Sequence, residues 1–334
     1  MRKALFLLIL LTGCASRNPY ITGGIIDLQQ NRTNDAIEQF QKAIEVDPQN
    51  PDGYIWLGKA YAAQKKYNDA CDEFDKAFQI DPAKKGKLEK DRSYFWASYL
   101  NAGIEHLNKQ DFTGAEKRLQ SAVDWAPDSS ETYNHLGYVY SQMDRDEEAI
   151  QSYRKSVALN PDDPEPHIHL VRFLIDQEKL DEAIETLKKV EETHPEHAKA
   201  HYYLGVAYSN KKMNPEAEEH FQKAAELDPE DRDAFFNLGI VLIRAEKFQD
   251  ALVPLQKATQ MDEKDKEALY WIGAALVRLK EYDNAIASLT HAIEIDPTYV
   301  DAYVQRGIAK REKGLKKQAA EDFKTAEELK KSRP

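Results

Sequence analysis

The sequence predicts an all-α protein built as a solenoid of about nine repeats. Three observations carry this. First, prolines recur at a fixed interval. Pro48 and Pro82 are 34 residues apart, Pro127, Pro161, Pro195 and Pro229 keep the spacing, and Pro297 lies two periods further on. Second, small residues recur in the same register. With the closing proline as position 32, position 20 is alanine in all nine units, from Ala36 to Ala319. Position 8 is glycine in eight, among them Gly58, Gly103, Gly205 and Gly307. Glycine inside a helix costs about 0.5–1 kcal/mol relative to alanine, so it persists where two helices cross too closely for a side chain. Third, strand-like alternation is scarce. Large apolar residues recur instead at helical spacing, as in Tyr54, Leu57 and Tyr61, followed by Phe74.

The segments NHLGYVYSQMDRDEEAIQSYRKSVALNP and YYLGVAYSNKKMNPEAEEHFQKAAELDP share L-G-x-x-Y, then A-x-x-x-aromatic, then a closing proline. This pattern resembles the tetratricopeptide repeat, a 34-residue helix–turn–helix unit. The resemblance implies a right-handed solenoid in which neighbouring units stack.

The chain begins MRKALFLLILLTGCAS. The apolar run from Ala4 to Leu11 is too short to span a bilayer, which takes about 20 apolar residues. Arg2 and Lys3 precede it and small residues follow, the layout of a secretory signal. Leu11-Thr12-Gly13-Cys14 resembles the lipobox of bacterial lipoproteins. That resemblance implies cleavage after residue 13, acylation of Cys14 and a hold on the lipid bilayer through its acyl chains. Ala15, where an inner-membrane retention signal would place Asp, points by resemblance to the periplasmic side of an outer membrane if the host has one. Residues 14–16 then form a lipidated N-terminus and short tether. Three extended residues reach only about 10 Å, so the array should start at the lipid surface.

Residues 17–84 hold repeats one and two, residues 85–95 (KGKLEKDRSYF) interrupt the period, and residues 96–333 hold repeats three to nine. The interruption reads equally as a docking loop or a helix extension. The first helix of repeat one, NPYITGGIIDLQQ, is expected to be weak. In repeat five Val171 takes the place of the glycine, which predicts two slightly spread helices. In repeat seven Pro254 falls inside the second helix and predicts a local bend. Repeat nine carries Arg306 and Lys310 at positions that are apolar in the middle repeats, as expected of a terminal unit with a polar outer face.

Charge narrows the function. Asp and Glu number 58 against 46 Lys and Arg. Removing Arg2 and Lys3 with the signal makes the chain more acidic still. This disfavours nucleic acid, which calls for a basic stripe, and adsorption to anionic lipid by charge. Cys71 is left as the single thiol after processing and reads as a small buried hydrophobe. No nucleophile elbow, phosphate loop, H-E-x-x-H or C-x-x-C is present, so neither an enzyme nor a cofactor is expected. The best metal candidate, HPEHAKAH with His194, His197 and His201, is outweighed by packing, because His201 occupies the slot of Tyr99 and Tyr133. No metal site is therefore assigned. His167 and His169 alternate on a helix and should face different ways.

The family resemblance implies that positions 2, 5, 9, 12 and 13 of the first helices line a concave groove. Carried onto this sequence, these include Leu100, Ile104 and Leu107, Asn134 and Tyr138, Ile168 and Arg172, Tyr202 and Val206. Phe236, Ile240, Ile243 and Arg244, then Tyr270, Val277 and Arg278, continue the wall. Arg311 adds a further cation. Such a wall either takes a partner or is buried against itself by curvature, and its apolar extent favours a partner. Position 9 lacks the asparagine of a carboxylate clamp, so an apolar partner segment is the better match. The expected function is a membrane-anchored adaptor for cell-envelope proteins, as lipoproteins of this type serve in assembling pili, secretion pores, outer-membrane proteins or cell-wall hydrolase complexes. The alternative is a structural lipoprotein that associates with itself as a homo-oligomer.

Overall fold

The computed structural model describes residues 18–332. Residues 1–17, which carry the expected signal and Cys14, lie outside the described residues, as do 333 and 334. Nine helix pairs follow one another: α1 (Pro19–Gln29) with α2 (Thr33–Val46), α3 (Pro51–Ala63) with α4 (Tyr67–Ile80), and α6 (Arg92–Asn108) with α7 (Phe112–Trp125). Next come α8 (Ser130–Gln142) with α9 (Asp146–Leu159), α10 (Pro164–Asp176) with α11 (Leu180–Thr193), and α12 (Ala198–Asn210) with α13 (Asn214–Leu227). The last three pairs are α14 (Arg232–Arg244) with α15 (Phe248–Met261), α16 (Lys266–Arg278) with α17 (Tyr282–Ile295), and α18 (Val300–Glu312) with α19 (Lys316–Ser332). A short helix α5 (Lys84–Lys87) stands between the second and third pairs. There is no strand among the described residues, and no described helix is long and apolar enough to cross a membrane.

The chain forms two compact units, Met1–Asn160 and Pro161–Pro334. The first holds four helix pairs and the second five. Within each unit the second helix of one repeat packs on the first helix of the next, and successive first helices lie beside one another.

The glycines at position 8 explain why each pair closes. A Cβ on Gly58 would lie 2.4 Å from the ring of Phe74, and one on Gly239 would lie 2.5 Å from Leu255. Position 24 thus drives a large side chain into the notch that the glycine leaves, and Phe40, Phe74, Tyr153, Phe221, Leu255 and Leu289 are all fully buried there. Burying each contributes about 1.5–3 kcal/mol. The alanines of position 20 are buried in all nine repeats. In repeat five Val171 and Leu187, at these same two positions, are both fully buried, and α10 with α11 is the most open of the pairs.

The turn inside each repeat has a feature that its residue types do not announce. Position 15 is left-handed in all nine repeats, yet only Gly314 is glycine. Asn31, Lys65, Gln110, Asp144, Glu178, Lys212, Glu246 and Lys280 all have φ between 55° and 63°. Around Glu246 the amide of Lys247 donates to the Leu242 carbonyl (2.9 Å) and the amide of Glu246 to the Ile243 carbonyl (3.0 Å). These two bonds satisfy carbonyls that the helix end would leave bare.

Several local expectations change. The first helix of repeat one forms, capped by the Asn18 side chain, but has 11 residues where most first helices have 13. Pro254 lies buried inside α15, which runs on through it to the 14 residues of its counterparts. Residues 85–95 include part of α5, a 3₁₀ turn at 89–91 and the first turn of α6, which reaches 17 residues. Phe95 from that added turn is fully buried and stacks on Trp125 at 4.5 Å. Arg306 and Lys310 do not form a solvated outer face. Both side chains are only 14% exposed and pair with the buried Asp322 of α19 at 2.7 and 2.8 Å. The last repeat therefore closes its core position with an internal ion cluster.

Candidate functional site

In the unit Pro161–Pro334, positions 5 and 9 of the first helices place a row of apolar side chains. Tyr202 and Val206 come from α12, Phe236 and Ile240 from α14, and Tyr270 from α16; all are partly exposed. Their bases are fixed by packing. Tyr202 meets the edge of Phe221 at 5.9 Å, and Tyr270 lies against Trp271 and Tyr299. The Arg232 guanidinium, held by Asp233 and Asp265, sits 4.8 Å over the Phe236 ring. Burial pushes the Tyr202 phenol up to about 12, so it stays a neutral hydrogen-bonding group at any physiological pH. Arg172, Arg244 and Arg278 are exposed. Arg244 donates to Ser209 Oγ at 2.9 Å, and Arg278 lies 4.4 Å over the Phe248 ring. The row thus combines anchored aromatics with cations, the residue types that dominate interface energetics.

The unit Met1–Asn160 offers less. Ile104 is partly exposed and Tyr138 is exposed. Leu100, expected on the wall, is 4% exposed and packs into the cluster around Phe74, Phe95 and Tyr99. Ile168, in the other unit, is likewise buried. Neither can touch a ligand without repacking. Near Tyr138, the amide oxygen of Asn134 is buried with no hydrogen-bond partner among the described residues.

The histidines of HPEHAKAH do not converge. His194 pairs with the Thr193 hydroxyl at 2.9 Å. His197 caps α12 by accepting from the Ala200 amide at 3.2 Å. His201 is buried, as its tyrosine-like slot predicts. It meets instead two residues that no sequence motif connects with it, His220 of α13 and Glu191 of α11. The Tyr208 ring lies parallel to His220, and burial pushes the His220 imidazole below the ordinary histidine range. His167 is buried against the Asp163 carbonyl, whereas His169 is partly exposed. Cys71 is fully buried, and burial pushes its thiol well above the usual range.

Models of the tetratricopeptide repeat match residues 51–84, 130–163, 147–205, 198–231 and 236–300, and a TPR repeat model matches 24–65. The chain is a tetratricopeptide repeat protein. Arrays of this family are protein-interaction scaffolds. No curated protein sequence matches this tetratricopeptide repeat chain. Among solved structures, YrrB, a TPR protein with an unusual peptide-binding site, is 29% identical with a TM-score of 0.52; the match covers 55% of this chain and 95% of YrrB. The pilF protein of Pseudomonas aeruginosa is 18% identical with a TM-score of 0.56, covering 63% of this chain and 96% of that one. A tetratricopeptide repeat protein of Parabacteroides merdae is 18% identical with a TM-score of 0.52, covering 71% and 93%. The last two likenesses speak for the fold alone.

Proposed function

We propose that this protein is a lipid-anchored adaptor of the bacterial cell envelope, held through acylated Cys14, on the periplasmic side of the outer membrane where the host has one, and that it acts by binding rather than catalysis. The row Tyr202, Val206, Phe236, Ile240 and Tyr270, flanked by Arg172, Arg244 and Arg278, takes an apolar segment of an envelope protein. The observation that carries this reading is the recurrence of partly exposed large apolar side chains at position 5 of three consecutive first helices, joined in α12 and α14 by position 9. The flanking arginines favour a segment that also carries carboxylates. The likeness to YrrB, described as binding a peptide, supports a peptide-like occupant.

The test is a photo-crosslinking amino acid at position 202 in living cells. Capture of one envelope protein, lost when Phe236→Glu places a charge in the row, is the expected result. Capture of a second copy alone would make the protein a self-associating structural lipoprotein, and capture of nothing would move the working surface elsewhere. Cys14→Ser should release the protein from the membrane; a variant that stays bound would remove the anchor from the proposal.

A further inference from the structure

Glu191, His201 and His220 bring three metal-binding atoms together from three helices. His201 Nδ1 lies 3.2 Å from His220 Nδ1. Glu191 Oε1 lies 3.7 Å from the former and 3.9 Å from the latter. A triangle with these edges has its centre about 2.1 Å from every corner, the length of a bond from zinc to imidazole nitrogen or carboxylate oxygen.

The protonation pattern is also prepared. His201 Nε2 lies 2.8 Å from the Pro195 carbonyl oxygen, which can only accept. Nε2 therefore carries the proton in the neutral ring, and Nδ1 presents its lone pair toward His220. A backbone carbonyl on the far nitrogen is the usual device for orienting a metal-binding histidine. The rings are braced as well. His220 meets His201 edge to edge, ring centroids 5.5 Å apart, and lies parallel to the Tyr208 ring at 5.4 Å. The donors are graded in burial, from His201 at 6% and His220 at 12% to Glu191 at 34% side-chain exposure. They open into a surface cavity whose rim carries Glu219, Lys223 and Glu226.

We propose that Glu191 Oε1, His201 Nδ1 and His220 Nδ1 form a binding site for a divalent transition cation, with zinc the best match. This replaces the sequence expectation of no metal site. Two imidazoles and one carboxylate suit zinc, and the cavity leaves a fourth position for water. Because Glu191 belongs to repeat five and the histidines to repeat six, the cation clasps α11 to α12 and α13. It does so next to the α10–α11 pair, the most open of the nine. Without metal, His220 Nδ1–H donates to His201 Nδ1, so the pocket is satisfied in either state.

The test uses the full chain carrying Cys14→Ser, stripped with a chelator and titrated with zinc chloride by calorimetry and thermal melting. One zinc per chain is expected, with a rise in melting temperature that EDTA reverses. Cobalt should give visible d–d absorption from the same site. His220→Phe keeps an aromatic ring against Tyr208 but removes the donor to the buried His201 Nδ1, so it should fold with a metal-free melting temperature somewhat below the parent's. It should lower zinc affinity at least tenfold and abolish the cobalt band. Glu191→Gln, on the exposed edge, should weaken binding in the same direction. No binding at millimolar zinc would overturn the proposal. So would unchanged affinity in both variants, or loss of binding in the His194→Gln, His197→Gln double variant alone.

Discussion

Replacing Gly58 by alanine tests the account of how each repeat closes. A helix-interior glycine changed to alanine gains about 0.5–1 kcal/mol from the backbone alone. At position 58 the new Cβ would stand 2.4 Å from Phe74 Cε1 and 2.8 Å from the Ala70 carbonyl oxygen. The ring cannot swing aside, because Phe95 packs edge-on against it at 4.7 Å, and the carbonyl belongs to the helix backbone. Overpacking costs about 1–3 kcal/mol, and with a backbone atom in the way the upper part, about 2–3 kcal/mol, applies, so α3 and α4 must part and the net loss should be about 1–2.5 kcal/mol. Gly23 is the matched control. It also lies inside a helix, but the nearest atom to its Cβ is the end of the Gln39 side chain at 3.6 Å, so Gly23→Ala should stabilise by about 0.5–1 kcal/mol. Urea unfolding followed by far-ultraviolet dichroism gives the two midpoints. Amide exchange localises the effect, which matters because repeat arrays open piecewise. Gly58→Ala should lower the midpoint and speed exchange in α3 and α4, while Gly23→Ala should raise it. A Gly58→Ala protein as stable as the parent would refute the steric argument.

Glu246→Gly should stabilise by about 0.5 kcal/mol. A side chain in the left-handed region costs about 1–2 kcal/mol, and glycine's added unfolded-state freedom returns only part of that; an unchanged or lower melting temperature would show that the Glu246 turn is unstrained. Asp296 is held at about 2, well below its ordinary 3.8, chiefly by the Lys266 ammonium and then by Thr298. A depressed carboxylate adds stability that is complete above its unfolded value and is lost as pH falls through the folded one. The gap in melting temperature between the parent and Asp296→Asn should therefore be largest above pH 4 and close toward pH 2; a gap constant across that window would place the effect in packing.

The fold was legible because a repeat states its rules nine times. The glycine at position 8 and the alanine at position 20 mark the helix crossing through residue size alone. What was not legible depends on contacts between unlike residues. The left-handed turn residue is Asn, Lys, Gln, Asp or Glu in eight repeats, side chains that carry no turn signal in common. Leu100 and Ile168 share a register with groove residues, and neighbouring packing buries them instead. Arg306 looked like a surface cation because its partner Asp322 stands sixteen residues away on another helix. His220 and Glu191 are 19 and 10 residues from His201 on separate helices, so no local motif could join them.

The same repeat positions hold two different answers to one electrostatic problem. Position 4 of the first helix and position 23 of the second are Tyr99 and Arg118 in repeat three, His201 and His220 in repeat six. In repeat three the Arg118 guanidinium, 7% exposed, binds Asp75 at 2.9 Å and also Asp72, while the Tyr99 hydroxyl donates to Asp75 at 2.6 Å. A built-in cation there ties α4 to α7, and the Tyr99 hydroxyl ties α4 to α6. Repeat six draws its carboxylate from the preceding repeat too, Glu191 at position 28 where Asp72 and Asp75 stand at 22 and 25, and sets two imidazoles in place of the hydroxyl and the guanidinium. If the slot calls for a cation, installing one should make the metal superfluous. The double variant His201→Tyr, His220→Arg places a guanidinium within reach of Glu191. It should melt at or above the metal-free parent, and zinc should no longer shift its melting temperature. Thermal melts with zinc and with EDTA decide the matter. A variant that unfolds well below the metal-free parent, or that still gains the full stabilisation from zinc, would separate the two repeats and leave the equivalence of their slots without support.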